Sequence, residues 1–205
     1  MFIVPVPVHS APSSLPWQTT STRSRCSSEP EFWRCTIGRP AEDAVPLLLA
    51  RAVARTEAIE LARRKREHYT RLAARGMVAI PGAPAFVSLL TGTGVPRAVA
   101  TSAPRADAES LLTEIGVRAA FDVVVTVEDV RRGKPNPEVY LRAAEGLGVS
   151  PASCLVFEDA VVGVHAARTA GMRVIGVTST YPARDLLAAG AERAIADFEG
   201  CRWPV

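Results

Sequence analysis

Residues 154–171 read CLVFEDAVVGVHAARTAG. Residues 154–158 form an apolar run that ends on the acid pair Glu158-Asp159. The stretch 161–170 has helical spacing and is closed by Gly171, and a second apolar run, RVIGV at 173–177, follows at once. Apolar runs of about five residues without polar alternation predict strands buried on both faces, and their alternation with capped helices predicts a parallel sheet.

The same pattern extends in both directions. Upstream, 97–101 (RAVAT) reads as a strand, 106–115 as a helix closed by Gly116, 121–127 as a Val-rich strand, and 137–147 as a helix that opens on Pro137 and closes at Gly148. Downstream, 186–189 and 194–195 add a short helix and strand, while 83–90 supplies a helix ahead of the first strand. The prediction is an α/β fold, a doubly wound parallel sheet of five strands over residues 83–198 with no internal repeat. Before it, Val45, Leu48, Leu49, Ala52 and Val53, then Ile59, Leu61, Ala62, Tyr69 and Leu72, recur at three-to-four spacing with a break near Arg55-Thr56. That spacing predicts a helical hairpin ended by Gly76 and Pro81-Gly82. Residues 1–36 hold seven Ser, five Pro and four Thr and show no sustained period, which predicts an irregular segment. The expected organisation is 1–36 irregular, 37–82 a small, partial helical cap, 83–198 the core and 199–205 a tail anchored by Trp203.

Composition narrows the partners. With 48% hydrophobic and 22% charged residues the chain is globular, and its formal charge of +3 is too small to argue for nucleic acid. Cys26, Cys35, Cys154 and Cys201 form no C-x-x-C pair, which argues against a zinc site, and Cys154 reads as a small buried hydrophobe. There is no membrane-length apolar run, and the start MFIVPVPVHSAP lacks basic residues and is broken by Pro5 and Pro7. A soluble, cytoplasmic protein is expected.

In such a sheet, ligands bind at the carboxyl ends of the strands. Those ends deliver Thr101 and Ser102, then Lys134 in the loop GKPNP at 133–137, then Glu158 and Asp159. A hydroxyl, an ammonium and two carboxylates on one rim suit a phosphate held beside a divalent metal. Each has an ordinary alternative: Thr101 and Ser102 capping the helix at 106–115, Lys134 solvated, and the acid pair capping the helix at 161–170. His165 reads as a packing residue, and His9 and His68 have no evident partner. Lys134 stands out as one of two lysines, with Lys65, among 22 arginines.

In this order, RAVATS (97–102), GKPNPEVY (133–140) and LVFEDAVVG (155–163) resemble motifs two, three and four of the haloacid dehalogenase-like superfamily. Within it the chain is most similar to the β-phosphoglucomutase and sugar-phosphatase branch, from about residue 36 to 198. Residues 38–82 resemble that branch's cap, including Gly38-Arg39-Pro40, ELARRKREHY (60–69) and Pro81-Gly82. The resemblance implies Mg²⁺-dependent phosphoryl transfer through an aspartyl-phosphate on a small, sugar-phosphate-like metabolite. It implies that Thr101 and the Ser102 amide bind a phosphate oxygen and that Lys134 pairs with the nucleophile and phosphate. It further implies that Asp159 binds Mg²⁺, with Glu158 supporting it through water, and that Lys65 and Arg39 contact the substrate. The cap is expected to close over the rim with Pro81-Gly82 as one hinge.

At one place the chain departs from the family. Motif one, Asp-x-Asp-Gly-Thr/Val after an apolar strand, supplies the family's nucleophile and its acid/base. No Asp precedes Asp43, which sits in Glu42-Asp43-Ala44, follows no apolar strand and precedes no Gly. The resemblance places the corresponding strand mid-sheet, between the strands ending at Thr101 and Glu158, and Phe2 to Val8 is a poor substitute because Pro5 and Pro7 each remove a ladder donor. A truncated or impaired hydrolase is therefore expected, the other reading being a non-catalytic descendant that binds phosphate, metal or a partner. A Ser/Thr/Arg/Pro-rich, Asp-free start is also what a shifted reading frame of GC-rich DNA yields, and VHSAP at 8–12 echoes the Val-Asp-Ser-Glu-Pro that commonly follows motif one. A receiver domain is disfavoured because its acidic pair comes first, and a dinucleotide-binding fold because no G-x-G-x-x-G follows a strand.

Overall fold

The computed structural model describes residues 36, 38, 39, 41–73, 76 and 78–203. The expected irregular segment therefore lies, except for Thr36, outside the described residues. Two helices come first, α1 (Ala41–Leu49) and α2 (Arg55–Ala73), followed by α3 (Ala83–Gly92). Then come β1 (Ala98–Ala100), α4 (Arg105–Glu114), β2 (Val123–Val125) and α5 (Glu138–Gly146). The chain continues with β3 (Leu155–Glu158), α6 (Val161–Thr169), β4 (Arg173–Val177), α7 (Ala183–Ala188) and β5 (Arg193–Ile195). Among the described residues no helix is long and apolar enough to cross a membrane.

All strand pairs are parallel: β1 with β2, β3 with β4, and β4 with β5. The described strands thus form a two-stranded and a three-stranded sheet. Both share the same two cores. On one face Ala98 and Ala100 of β1, Val156 of β3 and Val174 of β4 pack with Tyr140 and Ala143 of α5, Val164 of α6 and Leu186 of α7. On the other, Val99, Phe157 and Ile175 pack with Phe86 and Leu90 of α3, Leu112 of α4 and Phe198. Alternate residues of each strand face opposite ways, so the two sheets are parts of one layer with helices on both sides. Each fully buried Phe or Leu contributes about 1.5–3 kcal/mol to holding these layers together.

Among the described residues β1 has a strand partner on one side only, β2, and β3 on one side only, β4. Val123 N–H donates to Arg97 O and Thr101 N–H to Val125 O, so residues 97, 99 and 101 bond toward β2. Residues alternate in direction along a strand, and the peptide groups of Ala98 and Ala100 consequently point away from β2. The residues proposed from the sequence to complete this region, Phe2 to Val8, lie outside the described residues.

Several element boundaries differ from expectation. The strand expected at 121–127 shrinks to Val123–Val125. Thr126 stops it by starting a 3₁₀ turn through Val127–Asp129, where its N–H and hydroxyl both reach Asp129 Oδ2 at 2.7 and 2.8 Å. The first helix of the hairpin ends at Leu49, and Ala50 turns the chain with φ 52°, so Ala52 and Val53 lie in the connection. Arg97 is buried, and its guanidinium donates to the carbonyls of Leu90, Val95 and Ala120, fastening the end of α3 to β1. The Pro81-Gly82 segment expected to act as a hinge is tied to the chain end, because Phe198 N–H donates to Pro81 O at 2.9 Å. Trp203 packs on the same core as Phe198, as its apolar character suggested.

Candidate active site

The carboxyl end of β3 carries a buried polar cluster. Lys134, Glu158 and Asp159 are 6%, 3% and 5% exposed. Lys134 Nζ donates to Glu158 Oε2 at 2.7 Å, and the Tyr140 hydroxyl donates to the same oxygen at 2.5 Å. Glu158 Oε1 accepts the Ala160 N–H at 3.1 Å, and Lys134 Nζ lies 4.9 Å from the Tyr140 ring centroid. Both oxygens of Glu158 are therefore engaged. Burial pushes its carboxyl up, but the Lys134 ammonium and the donated hydrogen bonds outweigh that and hold it below the ordinary value. Burial is also the main reason why the Tyr140 phenol is raised, followed by the charge of Glu158. Gly163 makes room for the cluster: a Cβ there would stand 2.2–2.5 Å from the Glu158 carboxylate.

Asp159 is placed differently. Its Oδ2 accepts Thr180 Oγ1 at 2.5 Å and Ser179 Oγ at 3.3 Å, and it forms no ion pair among the described residues. Burial, then the charge of Glu158, pushes its carboxyl up to about 7 against the pull of Thr180 and Lys134. Two neighbours in sequence thus differ: Glu158 is paired with a lysine, and Asp159 is a buried carboxyl with hydroxyl partners and no ion pair among the described residues.

On β1 the rim is made of hydroxyls. Thr101 Oγ1 accepts the Ala103 N–H at 3.0 Å, and Ser102 Oγ donates to Gly38 O at 2.9 Å. Gly38 bridges the two sheets. Its φ is 75°, and a Cβ would stand 2.7 Å from Val162 and 2.8 Å from Ala160, at the start of α6. No larger residue fits that wedge. The next residue, Arg39, has a buried Nε with no hydrogen-bond partner among the described residues. Lys65 projects from α2, exposed and without a hydrogen bond to the other candidates, yet protein around its ammonium lowers its pKa by desolvation. On the same helix Arg66 lies close enough to α4 for its charge to oppose the burial that raises the Asp107 carboxyl.

The ordinary alternatives fail on geometry. The N-cap of α4 is Pro104 and that of α6 is Ala160, neither with a side-chain cap bond, so Thr101, Ser102, Glu158 and Asp159 cap neither helix. Lys134 is buried rather than solvated. His165 is exposed on α6, so it does not pack, and His68 has a partner after all, with Arg71 Nη2 3.1 Å from its Nδ1. The acids Glu128 and Asp129, just beyond β2, serve Arg105 and Thr126. Sequence reasoning missed Tyr140 as a donor and missed Ser179 and Thr180 altogether; the only signal for the latter pair is hydroxyls placed just beyond a strand end.

Among the described residues no three His, Cys, Asp or Glu side chains are grouped to hold a metal by themselves. Mg²⁺ does not need such a cage: it is commonly held by one or two carboxylates with water and substrate phosphate completing the shell. Asp159, buried and uncompensated, fits that role, with Glu158 beside it.

Comparison with known proteins adds an independent line. A model of the family described as haloacid dehalogenase-like hydrolase matches residues 13–171. The validoxylamine A 7'-phosphate phosphatase of Streptomyces hygroscopicus subsp. limoneus is 42% identical over 127 residues, 62% of this chain and 59% of that protein. The chain thus spans about three fifths of that relative's length. The phosphorylated carbohydrates phosphatase of Thermotoga maritima is 32% identical over 163 residues, covering 78% of this chain and 76% of that protein. In architecture the chain is similar to β-phosphoglucomutase from Clostridium difficile, with a TM-score of 0.75 at 20% identity, over 86% of this chain and 79% of that one.

Proposed function

The chain belongs to the haloacid dehalogenase-like hydrolases, and from that premise we propose that its rim binds the phosphate of a small, sugar-phosphate-like metabolite beside Mg²⁺. The observation that carries this reading is the buried Lys134–Glu158 pair adjoining Asp159, a buried carboxyl that forms no ion pair of its own among the described residues. Relatives named as phosphatases of validoxylamine A 7'-phosphate and of phosphorylated carbohydrates support the substrate class.

Asp159 would hold the metal directly and Glu158 would support it through water. When bound, Mg²⁺ supplies positive charge to the phosphate oxygens and fixes their orientation. Thr101 Oγ1 and the Ser102 amide hold a phosphate oxygen, and Lys134 adds positive charge from the side. Arg39, next to the Gly38 whose carbonyl takes the Ser102 hydroxyl, and Lys65 of α2 would contact the substrate. Tyr140 and Ala160 keep Glu158 in place, so that Lys134 stays oriented while a ligand arrives.

Covalent attack on phosphorus needs a nucleophile, and the sequence contains no Asp-x-Asp-Gly. We therefore read the chain as a phosphate- and Mg²⁺-binding member of a hydrolase family with impaired turnover. This absence equally favours a second reading, a purely non-catalytic binder. Thermal melts with inorganic phosphate and with MgCl₂ test binding, and Mg²⁺-dependent hydrolysis of p-nitrophenyl phosphate separates the two readings. Binding is expected to raise Tm, Asp159→Asn to remove the Mg²⁺ effect, and any residual hydrolysis to vanish with it. No Tm response to either ligand would overturn the binding site itself.

A further inference from the structure

The two oxygens of Asp159 are treated unequally. Thr180 Oγ1 and Ser179 Oγ both reach Oδ2, no described N–H or O–H is hydrogen-bonded to Oδ1, and the Glu158 carboxyl stands beside Asp159. The unequal contacts follow from the fold. Strands β3 and β4 run parallel with Glu158 opposite Gly176, so Asp159 and the turn after β4 emerge on the same rim. That turn is fixed at both ends: Thr178 N–H donates to Ile195 O at 2.9 Å, and Tyr181 is buried. Thr180 is thus presented to Asp159 by a braced segment, and its hydroxyl is the nearer of the two donors.

We propose that Thr180 is a positioning residue for the cation site: its hydroxyl keeps Asp159 Oδ2 occupied and leaves Oδ1 as the oxygen that meets the metal. The inference rests on the Mg²⁺ reading given above and adds a residue outside the three motifs on which that reading is built. Hydrogen-bond partners of a ligating carboxylate restrict its rotation, and their loss typically weakens metal binding by tenfold or more. Ser179, exposed and farther away at 3.3 Å, is expected to contribute less.

The test is the MgCl₂ concentration that gives half of the full Tm shift, measured for wild type, Thr180→Val, Thr180→Ser and Ser179→Ala. Thr180→Val should raise that midpoint roughly tenfold, Thr180→Ser should restore it, and Ser179→Ala should move it little. The Tm shift given by inorganic phosphate without metal should stay unchanged in all variants, which a general loosening of the fold would not allow. If wild type shows no Mg²⁺ shift, the metal reading itself fails. If wild type responds and Thr180→Val keeps its midpoint within about twofold, against the loss expected for a ligand's partner, only the Thr180 inference fails. Should Thr180→Val not fold, Thr180→Ala replaces it. If neither folds with phosphate present, Thr180 belongs to the fold and the proposal is overturned.

Discussion

On α2 charged pairs are many and wet. Arg63 donates to Glu60 and to Glu67, Arg64 donates to Glu60, and Arg51 closes on Glu57 just ahead of them, with every side chain at least 42% exposed. At the end of β3 a single pair, Lys134 with Glu158, is at most 5% exposed. Water can replace any partner on α2, and salt screens what remains. At β3 nothing replaces a lost partner, because the charges have already given up their hydration. The exposed pairs therefore decorate a helix, whereas the buried one constrains which chemistry the rim can hold.

The strongest way to break this comparison is to remove the buried lysine. Among the described residues Lys134→Ala leaves Glu158 with Tyr140 and the Ala160 N–H, and it should cost about 3–5 kcal/mol in urea unfolding at neutral pH. Acid should shrink that loss, because a protonated Glu158 needs no cation. Replacing both partners, as in Lys134→Met with Glu158→Leu, should cost less than the single change. A loss below about 1 kcal/mol for Lys134→Ala, the range of exposed pairs, would show that the site is wet.

Asp159 sharpens the contrast from the opposite direction. Its carboxyl stands at about 7 in the folded chain against an ordinary 3.8. Between those values the folded protein binds more protons than the unfolded chain, so its contribution to stability falls as pH rises through that window. Glu158 has the opposite sign: held below its ordinary 4.5, it supports the fold at neutral pH and loses that contribution in acid. Asp159→Asn should accordingly stabilise the metal-free protein by up to about 4 kcal/mol at pH 7.5 and do little at pH 4. Mg²⁺ should stabilise wild type at pH 7.5 and leave the variant unchanged. A variant whose Tm follows pH as wild type does would assign the effect to another group.

How far the residues announce this depends on their surroundings. The strands were legible because each is an apolar run too short for a helix, and the candidate rim residues were chosen because a parallel sheet delivers ligand groups at its strand ends. Thr101, Lys134 and Asp159 are read in that way. The limits of β2 were not legible, since Thr126 and Asp129 end it through a local capping interaction that competes with an apolar run. Arg97 was equally silent: a guanidinium satisfied by three carbonyls needs no acidic partner and leaves no pairing pattern. Tyr140 was read only as part of GKPNPEVY, and its bond to Glu158 spans 18 residues. Thr180 meets Asp159 across 21 residues through the β3–β4 register, a distance at which neither periodicity nor spacing speaks.

The smallest effect belongs to α2. Glu60 accepts from Arg63 and Arg64, and these bonds hold its carboxyl down to about 2. Such a value invites the inference of a strong anchor, yet Glu60, Arg63 and Arg64 all lie at the surface, where each side chain must be ordered to form the pair and water competes throughout. Glu60→Gln should leave Tm unresolved from wild type in moderate salt, and a small loss should emerge only at low ionic strength, where screening is weakest. A loss that persists in high salt would mean that the α2 surface is packed against something that excludes water. In that case α2 and the rim would obey the same rule, and the distinction drawn between them would have to be abandoned.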